Sequence, residues 1–208
     1  MRLKSFSCAD KPVFERFLAG SKHELAVYAF ENICIWKNLY EIRWTIIRNR
    51  LCLFFADAIG CFQYCPALGQ PAELEVVQQA FELMDRFNKN REISRIENIE
   101  AADISLYRDW GFLCRKTGCD YVCERLDLAG LQGNRFKSKR SSYNFFIKHY
   151  PFEYRPFSLK DKQSCLALYD LWARQRQGKG RGSLYEGMLT DGRACLEAAL
   201  RYYPRLNL

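Results

Sequence analysis

Residues 41–64, EIRWTIIRNRLCLFFADAIGCFQY, restrict the fold more than any other stretch of the chain. Glu41-Ile42-Arg43-Trp44-Thr45-Ile46-Ile47 alternates in polarity and is rich in β-branched and aromatic residues, the signature of a strand. Leu51 to Ala56 is a continuous apolar run of strand length, and Arg48-Asn49-Arg50 between the two can turn. Cys61 to Tyr64 reads as a third strand that Pro66 ends. Three short strands joined by short turns predict an antiparallel meander.

Helices are predicted on both sides of it. Asp10-Lys11-Pro12 pairs an N-cap with a helix-starting proline, and Val13, Phe14, Phe17 and Leu18 follow at helical spacing. A second helical pattern covers about Glu24 to Trp36. Gln70-Pro71-Ala72-Glu73 opens a long helix with Leu74, Val77, Ala80, Phe81 and Met84 on one face. Ile93 to Ile96 reads as a short strand, Ala101 to Trp110 as a helix closed by Gly111, and Asp120 to Cys123 as another strand. Together these predict an α+β domain over residues 1–130. Beyond it, Phe152 to Phe157 reads as a strand and Ser158 caps a helix running to about Arg176. Gln177 to Ser183 is a basic loop, and a last helix spans about Tyr185 to Tyr203. Residues 131–208 are thus expected to form a basic helix and the opening of a second domain whose sheet is missing.

Between the two lies GNRFKSKRSSYNFF, residues 133–146. Arg135, Lys137, Lys139 and Arg140 crowd the start of a predicted helix, where the helix dipole disfavours cations. On a helix from Phe136 to Tyr150, at roughly 100° per residue, Lys137, Arg140, Asn144 and Lys148 form one stripe. Phe136, Tyr143, Phe146, Ile147 and Tyr150 form the adjoining apolar face, expected to pack on a core, and Lys139 points toward that side. Gly133 and Asn134 add backbone N–H groups at the helix start. The candidate anion-binding set is therefore Gly133, Asn134, Arg135, Lys137, Lys139, Arg140, Asn144 and Lys148. The competing reading is a solvated charged face on a linker. Arg174, Arg176, Lys179 and Arg181 could add a basic loop, or supply solubility alone.

A net charge of +8 favours polyanionic partners such as RNA, anionic lipid headgroups or phosphorylated cofactors, without choosing among them. The start of the chain has no apolar secretory segment, so the ten cysteines are expected to be reduced thiols in a cytoplasmic setting. Cys61 and Cys65, and Cys114, Cys119 and Cys123, lack the C-x2-C spacing of zinc sites, so no metal is expected. The most apolar window, Leu51 to Phe62, is too short to span a bilayer and is interrupted by Asp57 and Gly60. Contact with lipid would have to be transient, at an anionic membrane surface. His23 and His149 lie in no metalloprotease or nucleophile-elbow pattern, no Walker loop is present, and nothing in the sequence pairs Glu186 with Asp191. No catalytic residue is assigned. Oligomeric state is not legible.

Several segments together are similar to the signature of one bacterial family. They are Cys119-Asp120-Tyr121-Val122, Leu126 with Leu131-Gln132-Gly133, Arg135-Phe136-Lys137-Ser138-Lys139-Arg140, Asn144-Phe145, and Tyr150-Pro151-Phe152-Glu153-Tyr154-Arg155-Pro156. Phe30-Glu31-Asn32-Ile33 with Ile35-Trp36 resembles the family's T-N-x-x-x-W element, with Glu31 where Thr is common. Pro66-Ala67-Leu68-Gly69 resembles its P-P-L-G turn. The family is that of the C-terminal domain of phosphatidylglycerol lysyltransferase and its soluble relatives. Ser141 stands where the family often has Asn, and Ser138 replaces a common Lys or His.

The resemblance implies a tandem GNAT-like fold: a mixed sheet flanked by helices, followed here by the opening of a second, incomplete GNAT-like unit. It implies an acyl- or aminoacyltransferase whose donor would be aminoacyl-tRNA and whose acceptor would be a lipid or peptide. Acyl-CoA is less expected, because Cys65 to Gln70 lacks a Gly-rich pyrophosphate turn, and no cofactor is implied. Gly133, Lys137, Lys139, Arg140 and Asn144 are the positions that match the family's motif. The alternative is a non-catalytic RNA- or anion-binding module.

Overall fold

A computed structural model describes residues 2–176 and 182–206. Lys179 and Arg181 of the expected basic loop lie outside the described residues. Two compact units are resolved by contact density: residues 1–116 with 162–208, and residues 117–161.

The first unit is built on a four-stranded antiparallel sheet in the order β1-β2-β3-β4. These strands are β1 (Lys4–Ser5), β2 (Glu41–Ile47), β3 (Arg50–Ala56) and β4 (Cys61–Gln63). The predicted meander is β2 to β4. Its first hairpin runs in register from Glu41↔Ala56 to Ile47↔Arg50. Arg48 and Asn49 both take positive φ, 45° and 59°. A two-residue turn of this left-handed kind matches the right-handed twist of the strands it joins. At the second turn, the Asp57 carboxylate accepts hydrogen bonds from the backbone N–H groups of Ile59 and Gly60, at 2.8 and 3.1 Å.

Alternation along β3 sorts its side chains between two cores. Leu51, Leu53 and Phe55 join Phe6, Phe14, Phe30, Trp44 and Tyr64 on one face. Cys52 and Phe54 join Val76, Ala80, Leu83 and Met84 on the other. The first face is covered by α1 (Lys11–Leu18) and α2 (Phe30–Ile35), and the second by α3 (Leu74–Phe87). Phe14 meets Phe6 edge-on with ring centroids 5.4 Å apart, and Phe55 stacks on Tyr64 at 4.2 Å. Burying such a ring contributes about 1.5–3 kcal/mol.

The side chain of Asn88, just past α3, substitutes for a neighbouring strand. Its Oδ1 accepts from Cys61 N–H at 2.7 Å and its Nδ2 donates to Cys61 O at 2.8 Å. This demands a bare backbone at Gly60, where an added Cβ would lie 2.5 Å from Asn88 Oδ1.

The remaining helices are α4 (Ile104–Asp109), α5 (Arg125–Gly130), α6 (Lys137–His149), α7 (Lys162–Arg176) and α8 (Ser183–Leu206). α5 and α6 form the second unit. By contact density α7 and α8 cluster with the first unit. Leu206 of α8 is buried in the core beside α1 and α2, and Asn38 donates to Ala194 O at 3.4 Å. Arg193 of α8 pairs with Asp170 of α7 at 2.7 Å.

Four expectations change. The sheet is antiparallel rather than mixed, its parallel character confined to one bridge, Gln63↔Ile96. That bridge replaces the expected strand at 93–96, because Asn90 caps a 3-10 turn at Arg91–Ile93 and leaves only Ile96 beside β4. The segments 120–123 and 152–157 form no strand. They carry β-branched and aromatic residues, but no neighbouring strand pairs with them among the described residues, and β propensity expresses itself only against a partner. The helix expected from Glu24 to Trp36 breaks at Ala29, whose ψ of 128° is extended. Tyr28 is drawn into the core there, and its hydroxyl donates to Asn98 O at 3.1 Å.

Candidate anion-binding helix

The candidate residues lie on α6 and on the loop that enters it. α5 ends at Leu131, which takes the left-handed conformation with φ 46°, and Gly133 follows with φ 77°. Leu131 pays a steric penalty of about 1 kcal/mol for that geometry, whereas Gly133 has no Cβ to clash. Something must hold the bend, and Arg140 does so. Its guanidinium reaches back from α6 and donates to the carbonyls of both Leu131 and Gly133, the latter at 2.8 Å. Arg135 is likewise engaged. It pairs with Asp127 of α5 and lies over the Phe136 ring, 4.8 Å from its centroid. Of the predicted set, Gly133, Arg135 and Arg140 therefore build the loop.

Lys137, Lys139, Asn144 and Lys148 are different. All four are exposed, and their side chains make no hydrogen bond or ion pair among the described residues. The α6 sequence KSKRSSYNFFIKH contains no acidic residue, and no side chain caps its N-terminus. Asn134 opens the 3-10 turn that leads into α6, and its backbone carbonyl accepts from Lys137 N–H. His149 acts at the other end of the helix, where its Nδ1 donates to Phe145 O at 2.8 Å.

The apolar face of α6 is not covered. Tyr143, Phe146, Ile147 and Tyr150 of that face are exposed and Phe136 is half-buried, while Phe145 and, beyond the helix, Phe152 are exposed beside it. The sequence pattern alone predicts that this face packs on a core. The side chains instead group with one another: Phe145 stacks on His149 at 4.2 Å, and Phe146 lies 5.3 Å from Phe152. No residue between 117 and 161 is buried among the described residues. The second unit thus presents a lysine row beside a group of open aromatic rings.

Other polar groups are engaged inside the first unit. His23 stacks on Tyr28 with centroids 3.8 Å apart, and its Nδ1 lies 3.1 Å from Glu100 Oε2. Burial pushes the Glu100 carboxyl up, but hydrogen bonds from Glu24 N–H and His23 outweigh it and hold the group below its ordinary range. A cleft of about 290 Å³ is lined by Arg16, Asn49, Arg50, Gly69 and Gln70. Its Arg50 guanidinium is already used, donating to Pro71 O at 2.8 Å and Asn49 O at 3.1 Å and pairing with Glu73 at 2.9 Å. Burial pushes the Cys52 thiol up to about 12 and the Cys61 thiol to about 11, which keeps both protonated.

The family model for the C-terminal region of phosphatidylglycerol lysyltransferase matches residues 20–202, nearly the whole chain. The chain belongs to that family. The matched span contains the meander, α6 and its entering loop, α7 and most of α8. A crystal structure of a conserved protein of unknown function from Bacteroides thetaiotaomicron is similar in fold, with a TM-score of 0.76 and 24% identity. The likeness covers 99% of this chain and 69% of that one. No curated protein matches. Among the described residues, no helix is long and apolar enough to cross a membrane.

Sequence reasoning alone did not reveal the loop-building role of Arg140. A cation seven residues after a glycine carries no local signal for a hydrogen bond to that glycine's carbonyl. The two positive-φ positions it braces were half legible, through Gly133 and not through Leu131.

Proposed function

We propose that this member of the lysyltransferase C-terminal family is a GNAT-like aminoacyltransferase module, and that α6 is its contact with a polyanionic donor, an aminoacyl-tRNA. The observation that carries the reading is α6 itself. Lys137, Lys139 and Lys148 are uncompensated on a helix without acids, while neighbouring Arg135 and Arg140 are fixed in the loop that positions it. Lysine acts on phosphates as a point charge and needs no single docking geometry, which suits a long, irregular backbone. Open rings beside the row offer stacking faces for unpaired bases at a tRNA end. The acceptor is a lipid or a peptide, and tandem GNAT-like domains would bring donor and acceptor together. Attack by an acceptor hydroxyl or amine on the aminoacyl ester would be assisted by backbone donors and by cations that stabilise the developing oxyanion.

A second reading is a non-catalytic RNA- or anion-binding module, also able to visit an anionic membrane surface. The openness of α6 favours it, since neither a cleft wall nor an acid–base residue accompanies the lysine row within its own unit among the described residues. Transfer of a labelled aminoacyl group from charged tRNA to anionic lipid vesicles or to a peptide mixture separates the two. Transfer that is lost on Lys137→Ala plus Lys139→Ala supports the transferase. Binding of tRNA with no label on any acceptor supports the binding module.

A further inference from the structure

The N-terminal 3-10 turn, Cys8–Asp10, brings one thiol against another. Cys8 Sγ lies 3.7 Å from Cys34 Sγ, although the two residues are 26 apart in sequence. Among the described residues, no other two cysteines share a hydrogen-bond contact. Cys8 is half-buried in the turn, and Cys34 is fully buried in α2.

The juxtaposition is held by contacts on both sides. Asp10 accepts from Ser7 N–H at 2.7 Å and from Trp44 Nε1 at 3.2 Å, which pins the turn to β2. Lys11 pairs with Glu31 of α2 at 2.6 Å, which ties the residue after the turn to the helix that carries Cys34. A disulfide needs its sulfurs about 2.05 Å apart. Side-chain rotation and a small shift of the turn close a gap of that size.

We propose that Cys8 and Cys34 form a redox-modification site, in which hydrogen peroxide, a two-electron oxidant, joins them and locks the N-terminal turn to α2. The half-buried Cys8 sulfur attacks the terminal peroxide oxygen. Its proton leaves with the departing oxygen as water, and Cys8 becomes a sulfenic acid. The Cys34 sulfur then attacks the Cys8 sulfur, the S–O bond breaks, and the hydroxyl leaves with the Cys34 proton as a second water. Two electrons pass from the sulfurs to the peroxide, and two waters form for each peroxide consumed. Burial and the neighbouring Cys8 and Glu31 push the Cys34 thiol well up, which assigns it the second, resolving step rather than the first. Burial pushes the Cys52 and Cys65 thiols up and keeps both protonated.

The test uses the full chain with the exposed thiols removed, as Cys119→Ser and Cys123→Ser. After treatment with hydrogen peroxide, intact mass under denaturing, non-reducing conditions is expected to fall by about 2 Da. Peptide mapping is expected to join Cys8 to Cys34, dithiothreitol to reverse the link, and the thermal midpoint to rise by about 5–10 °C when it forms. Cys8→Ser in the same background, folded by circular dichroism, is expected to show neither link nor rise. The idea is overturned if both thiols stay free, or if Cys8 alone is oxidised, at peroxide doses that fully oxidise Cys119 and Cys123 in the natural sequence.

Discussion

The two compact units use the same residue types in opposite ways. In the first, Phe14, Phe55 and Tyr64 are buried between a sheet and its covering helices, and ring packs on ring. In the second, Tyr143, Phe146 and Phe152 carry comparable apolar area but stand open to solvent. Amphipathic pattern alone does not bury a face; a face is buried when another element meets it. In the second unit the order comes from polar staples instead. Arg140 holds two loop carbonyls, Arg135 holds Asp127, and Arg155 holds Asp161 with both carboxylate oxygens, each at 2.7 Å. The lysines left over are the ones available to a partner.

The sharpest way to break this contrast is truncation of one ring in each unit. Phe14→Ala is expected to destabilise the first unit by about 3–5 kcal/mol, through lost transfer energy and the cavity left behind. Phe146→Ala is expected to change global stability by less than about 0.5 kcal/mol, since the residue is 47% exposed and no buried residue lies in its unit among the described residues. Urea midpoints of the two variants measure both, and equal losses would erase the distinction.

Next in size is Asn88→Ala, which leaves the buried N–H and C=O of Cys61 without partners. A loss of about 2–4 kcal/mol is expected by urea unfolding, with faster amide exchange along β4.

Gly133→Ala tests the stapled loop. A Cβ at φ 77° costs about 1–2 kcal/mol, so amide protection over residues 131–140 should fall while the first unit keeps its own. Hydrogen exchange read by mass spectrometry resolves the two segments.

The smallest effect concerns pH. The Arg155 guanidinium, followed by the Ser158 N–H, holds the Asp161 carboxyl down to about 2 from an ordinary 3.8. Its folded value is below its unfolded one. Its contribution is therefore complete above the ordinary carboxylate range and lost as pH falls through about 2. Titration of the Asp161 carboxyl carbon by NMR should show this low midpoint, and Arg155→Ala should return it toward 3.8.

What was legible in the sequence follows the same division. The meander was readable almost to the residue, because β2 alternates, β3 is an apolar run of strand length, and Arg48-Asn49-Arg50 between them can turn. The start of α3 and the glycine closing α4 were readable from local chemistry. β1 was not, since Lys4–Ser5 joins the sheet through its backbone and its side chains are exposed. α5 was missed because RLDLAG is too short to show a period. The strands expected at 120–123 and 152–157 failed for the opposite reason: their residues favour strands, but a strand is defined by its neighbour. At the candidate site, the positions were found and their roles were not. Charge and spacing mark Lys137 and Arg140 alike, and only the loop carbonyls distinguish the free cation from the engaged one.

The direct test of the central claim is the salt dependence of tRNA binding. For the natural chain, log affinity should fall steeply as log salt rises, because phosphate contacts release counterions. Substituting Lys137, Lys139 and Lys148 together with alanine should flatten that slope by about 2 units and weaken binding at every salt concentration, with the fold unchanged. An unchanged slope in the folded triple variant would contradict the account, because the lysine row would then be a solvated face that holds nothing.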